Sequence, residues 1–220
     1  NGSGSCAMLF GEPGSKTITI TYPGDDLYQP ADNTAAAFEY TVLPFSQGPQ
    51  LRTGLDHTYI YKADGTVGCI GAGCTADPFA GIFTRLGVGD AYACGLHTDG
   101  EILCANYGAA PALAFSNGPY IDLSVGENHV CALKINGQAQ CLGDNTFGQA
   151  APTAGVFASL SAGGQHTCAL TAGGTTVCWG AISSPLAGTF TRLVSGAAHT
   201  CGLNAAGSAA CWGDNSSGQL

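Results

Sequence analysis

Three histidines of the chain each stand two residues before a cysteine, and a second cysteine follows ten residues after the first. Two thiolates and an imidazole are zinc ligands, so each set could bind a metal ion. Structural zinc sites, however, space paired cysteines by about two to four residues and need a fourth ligand. Disulfide bonds explain the spacing better, and zinc is the less favoured alternative. The three sets are His129/Cys131/Cys141, His166/Cys168/Cys178 and His199/Cys201/Cys211.

These residues belong to an internal repeat. The pattern L-x-x-G-x-x-[HY] occurs five times, and the intervals between its last residues are 35, 37, 37 and 33 residues. The last four copies are followed by a cysteine, a glycine-containing turn and a second cysteine. Self-similarity at this period is typical of propellers and solenoids. The five copies end at His57, Tyr92, His129, His166 and His199.

Each repeat contains a predicted β-hairpin that carries the two cysteines. The segment from His129 to Leu133 alternates between two faces, as a strand does. The three-residue loop that follows ends on Gly137, and glycine takes the left-handed position of such a loop without steric cost. In that register the two cysteines lie directly opposite each other, at a Cα separation that a disulfide tolerates. The spacing predicts four bridges: Cys94–Cys104, Cys131–Cys141, Cys168–Cys178 and Cys201–Cys211.

The arrangement of strands predicts an all-β fold. A third short strand that opens on an aromatic residue precedes each of the last four hairpins. Three or four strands in each unit of about 37 residues are typical of a β-propeller blade, and the period-2 alternation excludes helix-pair repeats. An N-terminal β segment or insertion is predicted over 1–47, from alternating runs at 16–22 and 37–42. The five predicted propeller repeats are 48–82, 83–119, 120–156, 157–189 and 190–220.

Two strings resemble a known family. They are Ala162-Gly-Gly-Gln-His-Thr-Cys-Ala-Leu170 with its ending Cys178-Trp-Gly180, and Gly213-Asp-Asn-Ser-Ser-Gly-Gln-Leu220. Both resemble the repeat of the regulator of chromosome condensation superfamily. They are most similar to the short, cysteine-bearing variety found in bacterial secreted proteins, algal surface proteins and Crinkly-type plant receptor kinases. The resemblance covers roughly residues 48–220 and implies a propeller, commonly of seven blades, but no single activity.

The chain also departs from the family's pattern. The nuclear guanine-nucleotide exchanger of this superfamily has longer repeats and an inserted wedge that contacts its GTPase. No insertion of that size occurs here, so exchange activity is not expected. Tyr59 replaces the first cysteine of the first repeat. Because five repeats are too few for a closed seven-bladed ring, we expect an incomplete propeller or part of a larger one.

Three cysteines lie outside the four hairpin pairs. Cys69 and Cys74 are five residues apart and are expected to bridge each other. Cys6 is then left over. It follows Asn1-Gly2 at the spacing with which Cys141 follows Asn136-Gly137, as though the chain began inside a hairpin. We therefore expect Cys6 to bridge to a cysteine upstream of this sequence or in another molecule.

Charge and cysteine usage exclude several classes of partner. Six basic residues against fifteen acidic ones give a net charge of -9, so no cationic surface is expected for nucleic acid. No apolar stretch approaches the roughly 20 residues of a membrane helix, so no membrane insertion is expected within this chain. Ten or more oxidised cysteines would not survive a reducing cytosol, which predicts a secreted or cell-surface protein. Sequons at Asn1 and Asn215 would accept glycans in a eukaryotic source.

The sequence contains no evident catalytic set. Paired carboxylates, a Ser-His-Asp order and a phosphate loop are all missing, so we expect no enzyme, no metal and no cofactor. A histidine that recurs with the repeat is expected to pack and to hydrogen-bond rather than to catalyse. His97, which lies off this register beside a turn, is expected to face solvent. Asp25, Asp26 and Asp32 could bind calcium, but a solvated loop is the favoured interpretation.

Two hypotheses about function follow, both with a protein as the partner. The first is a non-enzymatic extracellular module, structural or for recognition, that belongs to a longer surface or secreted protein or assembles with copies of itself. The alternative is a soluble secreted binder or inhibitor that acts through one propeller face, and it requires a closed ring. An enzymatic function would need a pocket on which several His or Asp side chains converge.

Overall fold

The computed structural model describes residues 14–19, 37–42, 50–53, 57–62, 64–71, 74, 79–107, 110–182 and 184–220. Strands and the turns between them account for these residues, and no helix occurs among them. Among the same residues, no apolar helix is long enough to cross a membrane. Near the N-terminus, β1 (Gly14–Thr19) and β2 (Ala37–Val42) pair antiparallel with each other. The predicted all-β class is confirmed.

The other fifteen strands form five antiparallel sheets of three strands each, which we number as blades 1 to 5. In every blade the strands follow one another in chain order, with the second strand in the middle. Blade 1 contains β3 (Gln50–Thr53), β4 (His57–Tyr61) and β5 (Val67–Gly71); blade 2 contains β6 (Phe83–Val88), β7 (Tyr92–His97) and β8 (Ile102–Asn106); blade 3 contains β9 (Tyr120–Val125), β10 (His129–Lys134) and β11 (Ala139–Gly143); blade 4 contains β12 (Ser159–Ala162), β13 (His166–Leu170) and β14 (Thr176–Gly180); blade 5 contains β15 (Arg192–Ser195), β16 (His199–Leu203) and β17 (Ala209–Gly213).

The hairpin between the second and third strands turns on a glycine. Gly100, Gly137 and Gly207 have φ angles of +87°, +80° and +81°, a region in which a residue with a Cβ atom is strained. The amide of Gly137 donates to the carbonyl of Lys134 at 2.8 Å and closes the turn. This turn sets the register that the three-residue loop predicts, in which paired positions are Cys94 and Cys104, Cys131 and Cys141, Cys168 and Cys178, and Cys201 and Cys211.

The two faces of a blade have different neighbours. We call the cysteine-bearing face the forward face, because it packs on the next blade, and the opposite one the backward face. Between blades 3 and 4, for example, Cys131 and Leu133 of the forward face pack on Phe157, Ala169 and Trp179 of the backward face. Each pair of adjacent blades meets in such an interface, which we call a seam. The hydrophobic core of the molecule is therefore divided into four clusters, one per seam.

The five blades form an open arc, which confirms the prediction of an incomplete propeller. The first strands of successive blades contact one another in order, and so lie nearest the axis of the arc. The loops after the first and third strands lie at one end of each sheet, and we call this end the loop face. Asp144 donates its amide to Asn128 there, and Asp214 donates to Ala198, each at 2.8 Å. The hairpin turns lie at the opposite end, the hairpin face.

The first strands of blades 4 and 5 begin later than expected. Phe157 and Phe190 were expected to open these strands, but β12 begins at Ser159 and β15 at Arg192. The physical reason is a missing ladder bond: Thr98 donates to Ile82 in blade 2 and Ile135 donates to Pro119 in blade 3, and no equivalent bond occurs among the described residues of blades 4 and 5. Phe157 donates to the carbonyl of Gly137 at 2.8 Å, and Phe190 donates to that of Gly174 at 2.9 Å. Both rings are buried in the seams.

Candidate functional site

A disulfide joins the second and third strands of blades 2 to 5 on the forward face. The Cα–Cα separation is 4.1 Å in blades 2, 3 and 4 and 4.0 Å in blade 5. The first cysteine of blades 2, 3 and 4 is fully buried in its seam. An oxidised sulfur offers no thiolate to a metal ion, so the cysteines staple the hairpins. The pairs are Cys94–Cys104, Cys131–Cys141, Cys168–Cys178 and Cys201–Cys211.

Blade 1 has a different bridge. Cys69 is bonded to Cys74, with their Cα atoms 5.6 Å apart. Tyr59, which replaces the missing cysteine, pairs with Cys69 in the ladder, and its hydroxyl group bonds that of Tyr107 in blade 2. Asn215 of the C-terminal sequon is exposed on the loop face. The remaining predicted sites, Cys6, Asn1, Asp25, Asp26 and Asp32, lie outside the described residues.

A buried histidine of blade 3 reaches across the seam to blade 4. The Nε2 atom of His129 lies 2.7 Å from Oγ1 of Thr167. The hydroxyl group of Thr167 donates to the backbone carbonyl of Gln149 at 3.1 Å, so its oxygen must accept from the imidazole. His129 is therefore the Nε2-protonated tautomer. Its Nδ1 atom, buried and without a hydrogen-bond partner among the described residues, is the unprotonated nitrogen.

The next seam repeats this bond. Nε2 of His166 lies 2.7 Å from Oγ1 of Thr200, which lies 3.0 Å from Oγ of Ser195. Ser195 in turn donates to the carbonyl of Ser161 at 3.2 Å. Ser195 donates its hydroxyl proton to Ser161, so it accepts from Thr200, and Thr200 in turn accepts from His166. The chain of hydrogen bonds therefore begins and ends on blade 4. The histidine thus closes a hydrogen-bonded circuit between the two blades.

Both imidazoles are neutral at pH 7. Burial and, to a smaller extent, the neighbouring His166 lower the pKa of His129 from 6.5 to about 4, while Asp144 opposes the shift. Burial also lowers the pKa of His166 to about 4, with a smaller contribution from His199. A neutral imidazole whose donor is already bonded to a threonine holds the seam and is not free to transfer protons to a substrate.

The glycine of the L-x-x-G-x-x-[HY] pattern makes room for this histidine. A Cβ atom on Gly126 would overlap the imidazole of His129 and the carbonyl oxygen of Gly163 in the next blade. A Cβ atom on Gly163 would meet His166 and Gly196 in the same way. The glycine and the histidine of the pattern therefore recur together, because the imidazole ring packs on the glycine backbone where a Cβ atom would otherwise lie.

One seam replaces the polar pair by an apolar one. In blade 2, Tyr92 takes the histidine position, and in blade 3 Val130 takes the place of Thr167 and Thr200. Tyr92 and Val130 are buried in the same cluster. Histidine thus meets threonine in two seams, whereas the tyrosine meets a valine, which needs no hydrogen bond. This pairing joins residues 38 positions apart in the sequence and could not be identified from one repeat.

Asp122 is a further residue that sequence reasoning missed. Its carboxylate lies 3.2 Å from Nε of Arg85 in blade 2 and accepts the amide of Leu160 in blade 4 at 3.2 Å. It therefore links three blades. Burial raises the pKa of Asp122, against the opposing effects of Arg85 and of the amide donors. The signal in the sequence is Arg85 before Leu86 and Asp122 before Leu123, two opposite charges at the same position of successive repeats.

The G-D-N-x-x-G-Q loop of blade 3 holds its own shape. Gln149 donates from Nε2 to Asp144 at 2.7 Å and accepts the amide of Phe147 at 2.8 Å. The hydroxyl group of Thr146 donates to Asp144, which lowers the pKa of that carboxyl. The carbonyl of Gln149 accepts Nε1 of Trp179 in blade 4 at 2.8 Å. The loop is therefore rigid at its base while Phe147 is exposed.

The C-terminal loop repeats this geometry. Gln219 donates to Asp214 at 2.9 Å and accepts the amide of Ser217 at 2.9 Å. A hydrogen bond from the Ser216 hydroxyl group lowers the pKa of Asp214. Gln219 is only partly buried, whereas Gln149 is fully buried under blade 4. The loop thus takes its shape without a following blade to cover it.

His97 does not face solvent as expected. Its side chain is about a quarter exposed, and Nδ1 lies 2.8 Å from the Asp99 carboxylate. The ring stacks edge-to-face on Phe83, with centroids 5.5 Å apart. The sequence places His97 beside a turn, but the strand continues to this residue and pairs it with Phe83.

A cleft of about 530 Å³ lies between blades 4 and 5 on the loop face. Glu127, His166 and Asp214 line it, but the Nε2 atom of His166 is already bonded to Thr200. Asp214 has a lowered pKa and stays ionised, so it is not a proton donor near pH 7. Among the described residues no group of three His, Cys, Asp or Glu side chains could hold a metal ion. The cleft therefore offers no assembled acid-base pair.

The comparison with protein families matches three of the five blades. The model of the regulator of chromosome condensation (RCC1) repeat matches residues 120–149, 157–181 and 190–219. Residues 120–219 of the chain thus carry three RCC1 repeats. The resemblance inferred from the sequence is confirmed, and the RCC1 repeats coincide with blades 3, 4 and 5. No curated protein matches the sequence.

Solved structures with similar folds include two receptor ectodomains. The chain is 28% identical to the ectodomain of the Physcomitrella patens receptor kinase CR4, covering 74% of this chain and 50% of that one, with a TM-score of 0.61. It is 23% identical to the Crinkly WD40 ectodomain of the Arabidopsis thaliana receptor kinase ACR4, covering 77% and 67%, with a TM-score of 0.59. Yeast RCC1 (Prp20), solved bound to Kap60, is 16% identical over 76% of this chain and 56% of that chain, with a TM-score of 0.63.

These matches show the propeller fold of RCC1 repeats. The chain spans about half to two thirds of the length of the three structures.

Proposed function

We propose that the chain is a non-enzymatic interaction module of a secreted or cell-surface protein, built from the five repeats delimited above. The observation that carries the proposal is the disulfide repeated at one register in blades 2 to 5. Such bonds persist in oxidising compartments and are rare in the cytosol. The likeness to the CR4 ectodomain, a part of a receptor kinase, supports the same location.

The bonding and protonation states of the reactive side chains support a binding role rather than a catalytic one. The cysteines of the blades are oxidised, and the buried imidazoles are neutral and bonded to threonine. Asp144 and Asp214 are held ionised by hydroxyl groups of their own loops. These groups stabilise the arc, so its function lies in the surfaces that the arc presents.

The loop face is the surface that we assign to a protein partner. It carries Asp90, Glu127, Asp144 and Asp214, and its described residues include no Lys or Arg. With the net charge of -9, this face favours a partner with a basic surface. Phe147 adds an exposed aromatic ring on a loop that is already ordered, which lowers the entropic cost of binding. A glycan on Asn215 would project from the same face.

Assembly with copies of the chain into a larger extracellular structure belongs to the same proposal. The alternative of a soluble inhibitor that acts through one propeller face requires a closed ring. The five described blades do not themselves close into a ring.

Site-specific photocross-linking tests the proposal with a matched pair of positions. Phe147 on the loop face and Ile135 on the hairpin face are 50% and 51% exposed. A photoreactive phenylalanine analogue is placed at either position, and intact cells that carry the protein are irradiated. We expect protein adducts from position 147 and none from position 135, and protease added outside the cells should remove them. Equal adducts from both positions, or adducts that the protease cannot reach, would contradict the proposal.

A further inference from the structure

The forward face of blade 5 is exposed at positions that are buried in the other blades. Leu203 is 40% exposed, whereas the leucines at the same position of blades 3 and 4, Leu133 and Leu170, are 0% and 3% exposed. Val194 on the same face is 57% exposed. The disulfide Cys201–Cys211 lies between them and is only partly buried. This surface has the composition of a seam, and none of the described blades covers it.

The backward face of blade 1 is exposed in the complementary way. Leu51 is 66% exposed, although the equivalent Leu123 and Leu193 are each 8% exposed in their seams. Ile70, which stands at the position of the buried Trp179, is 64% exposed. The two ends of the arc therefore present the two halves of one seam.

The hydrogen-bonding residues at the two ends also match. In the interior, the histidine of one blade bonds the threonine of the next, as His129 does with Thr167. His199 has no bonded threonine, and Thr58 occupies the threonine position of blade 1 with no histidine opposite it. Neither side chain has a hydrogen-bond partner among the described residues. The imidazole of His199 is nevertheless placed over Gly196 as the buried histidines are placed over their own glycines.

We propose that the forward face of blade 5 docks on the backward face of blade 1 of a second copy of the chain. His199 donates from Nε2 to Thr58 of that copy, while Leu203 and Val194 are covered by Leu51 and Ile70. The contact repeats the seam geometry found four times within the arc and joins copies head to tail, so that it closes into a ring or continues as a filament. It rests on the proposed function, because it names the surfaces through which such a module would assemble.

The Tyr92–Val130 seam supplies the test. H199Y alone or T58V alone leaves a mismatched junction, whereas the double variant H199Y/T58V recreates the tyrosine–valine pair of blades 2 and 3. Sedimentation velocity of the full chain, from about 1 to about 100 µM, measures the association constant. We expect wild-type chains to associate, and each single variant to bind about tenfold or more weakly. The double variant should associate within about threefold of wild type.

Mixing adds a second arm to the experiment. A solution of H199Y with T58V should associate, because His199 of one variant meets Thr58 of the other. I135S serves as the control, since Ile135 is exposed on the hairpin face and belongs to neither end. A wild-type chain that stays monomeric throughout, or a double variant no better than the single ones, would overturn the proposal. Neither result affects the cross-linking at Phe147, so the proposed function is tested separately.

Discussion

Neutral histidines in the seams make the molecule sensitive to acid. The pKa of His129 and His166 is about 4 in the folded chain and takes its ordinary value of 6.5 once burial is lost. Between these two values the unfolded chain binds more protons than the folded one. The free energy of unfolding therefore falls as the pH falls from 6.5 towards 4, and this part of it is fully present above 6.5.

The first prediction concerns a variant in which the tyrosine–valine pair of blades 2 and 3 replaces the histidine–threonine pair of one seam. In H166Y/T200V the buried imidazole is gone, so this seam no longer contributes to the acid sensitivity. Urea denaturation at pH 7 and pH 5 should show that the double variant loses about 1 to 2 kcal/mol less stability than wild type over this interval.

H97Q is the control for this measurement, because His97 is partly exposed and bonds no threonine of a neighbouring blade. It keeps both seam imidazoles, so it should lose more stability between pH 7 and pH 5 than H166Y/T200V does. An H166Y/T200V variant that is as acid-sensitive as wild type would contradict the assigned role of the imidazole.

The role of the histidine could be predicted in part from its recurrence. A side chain repeated at one register position had to serve the fold, but nothing in the sequence identified its partner. Thr167 and Thr200 follow other histidines along the chain, and their bonds to His129 and His166 exist only because blades stack. Asp122 was missed for the same reason, since Arg85 and Leu160 come from different blades.

At the scale of the strand and its turns, the glycine before each histidine sets how closely two blades approach. Gly126 lies between the imidazole of its own blade and the carbonyl oxygen of Gly163 in the next. G126A should therefore force the seam between blades 3 and 4 apart and cost about 2 to 4 kcal/mol of unfolding free energy. Urea denaturation measures the loss.

G173A is the matched control for this second prediction. A Cβ atom on Gly173, in a hairpin turn, would lie 3.9 Å or more from every described atom outside the two adjacent residues. Its substitution should change stability by less than about 0.5 kcal/mol. Equal losses in G126A and G173A would show that the glycine is required by its own loop and not by the seam.

The hairpins were the most predictable elements because their signals are local. Alternation over five residues and a glycine in a three-residue loop determine the strands and the opposition of Cys131 and Cys141. Where a strand begins was less predictable. Phe157 looked like the first residue of a strand, but the described residues of blade 4 lack the ladder bond that Ile135 donates to Pro119 in blade 3, and no local pattern encodes that bond.

At the scale of the whole molecule, each blade depends on its neighbours, as in other repeat proteins. Leu133 and Leu203 occupy the same position of the repeat, one inside a seam and one at the end of the arc. L133A should cost about 2 to 5 kcal/mol of unfolding free energy, because it leaves a cavity between two blades. L203A should cost less than about 1 kcal/mol in the isolated chain.

Thermal or urea unfolding of dilute protein measures both variants, at concentrations below those of self-association. The third prediction fails if the two losses are equal, since the stability of a blade would then be its own property and not that of the seams.

Two kinds of side-chain pair between blades, histidine–threonine and tyrosine–valine, make the order of the blades matter during folding. Hairpins of nearly the same sequence are able to stack in the wrong order, a common failure of repeat proteins. If the forward face of blade 4 were to dock on the backward face of blade 3, the imidazole of His166 would face Val130 and lose its acceptor. A buried donor without an acceptor costs about 1 to 3 kcal/mol, a large share of a domain's net stability. The difference between histidine–threonine and tyrosine–valine pairs thus disfavours this wrong order of the blades.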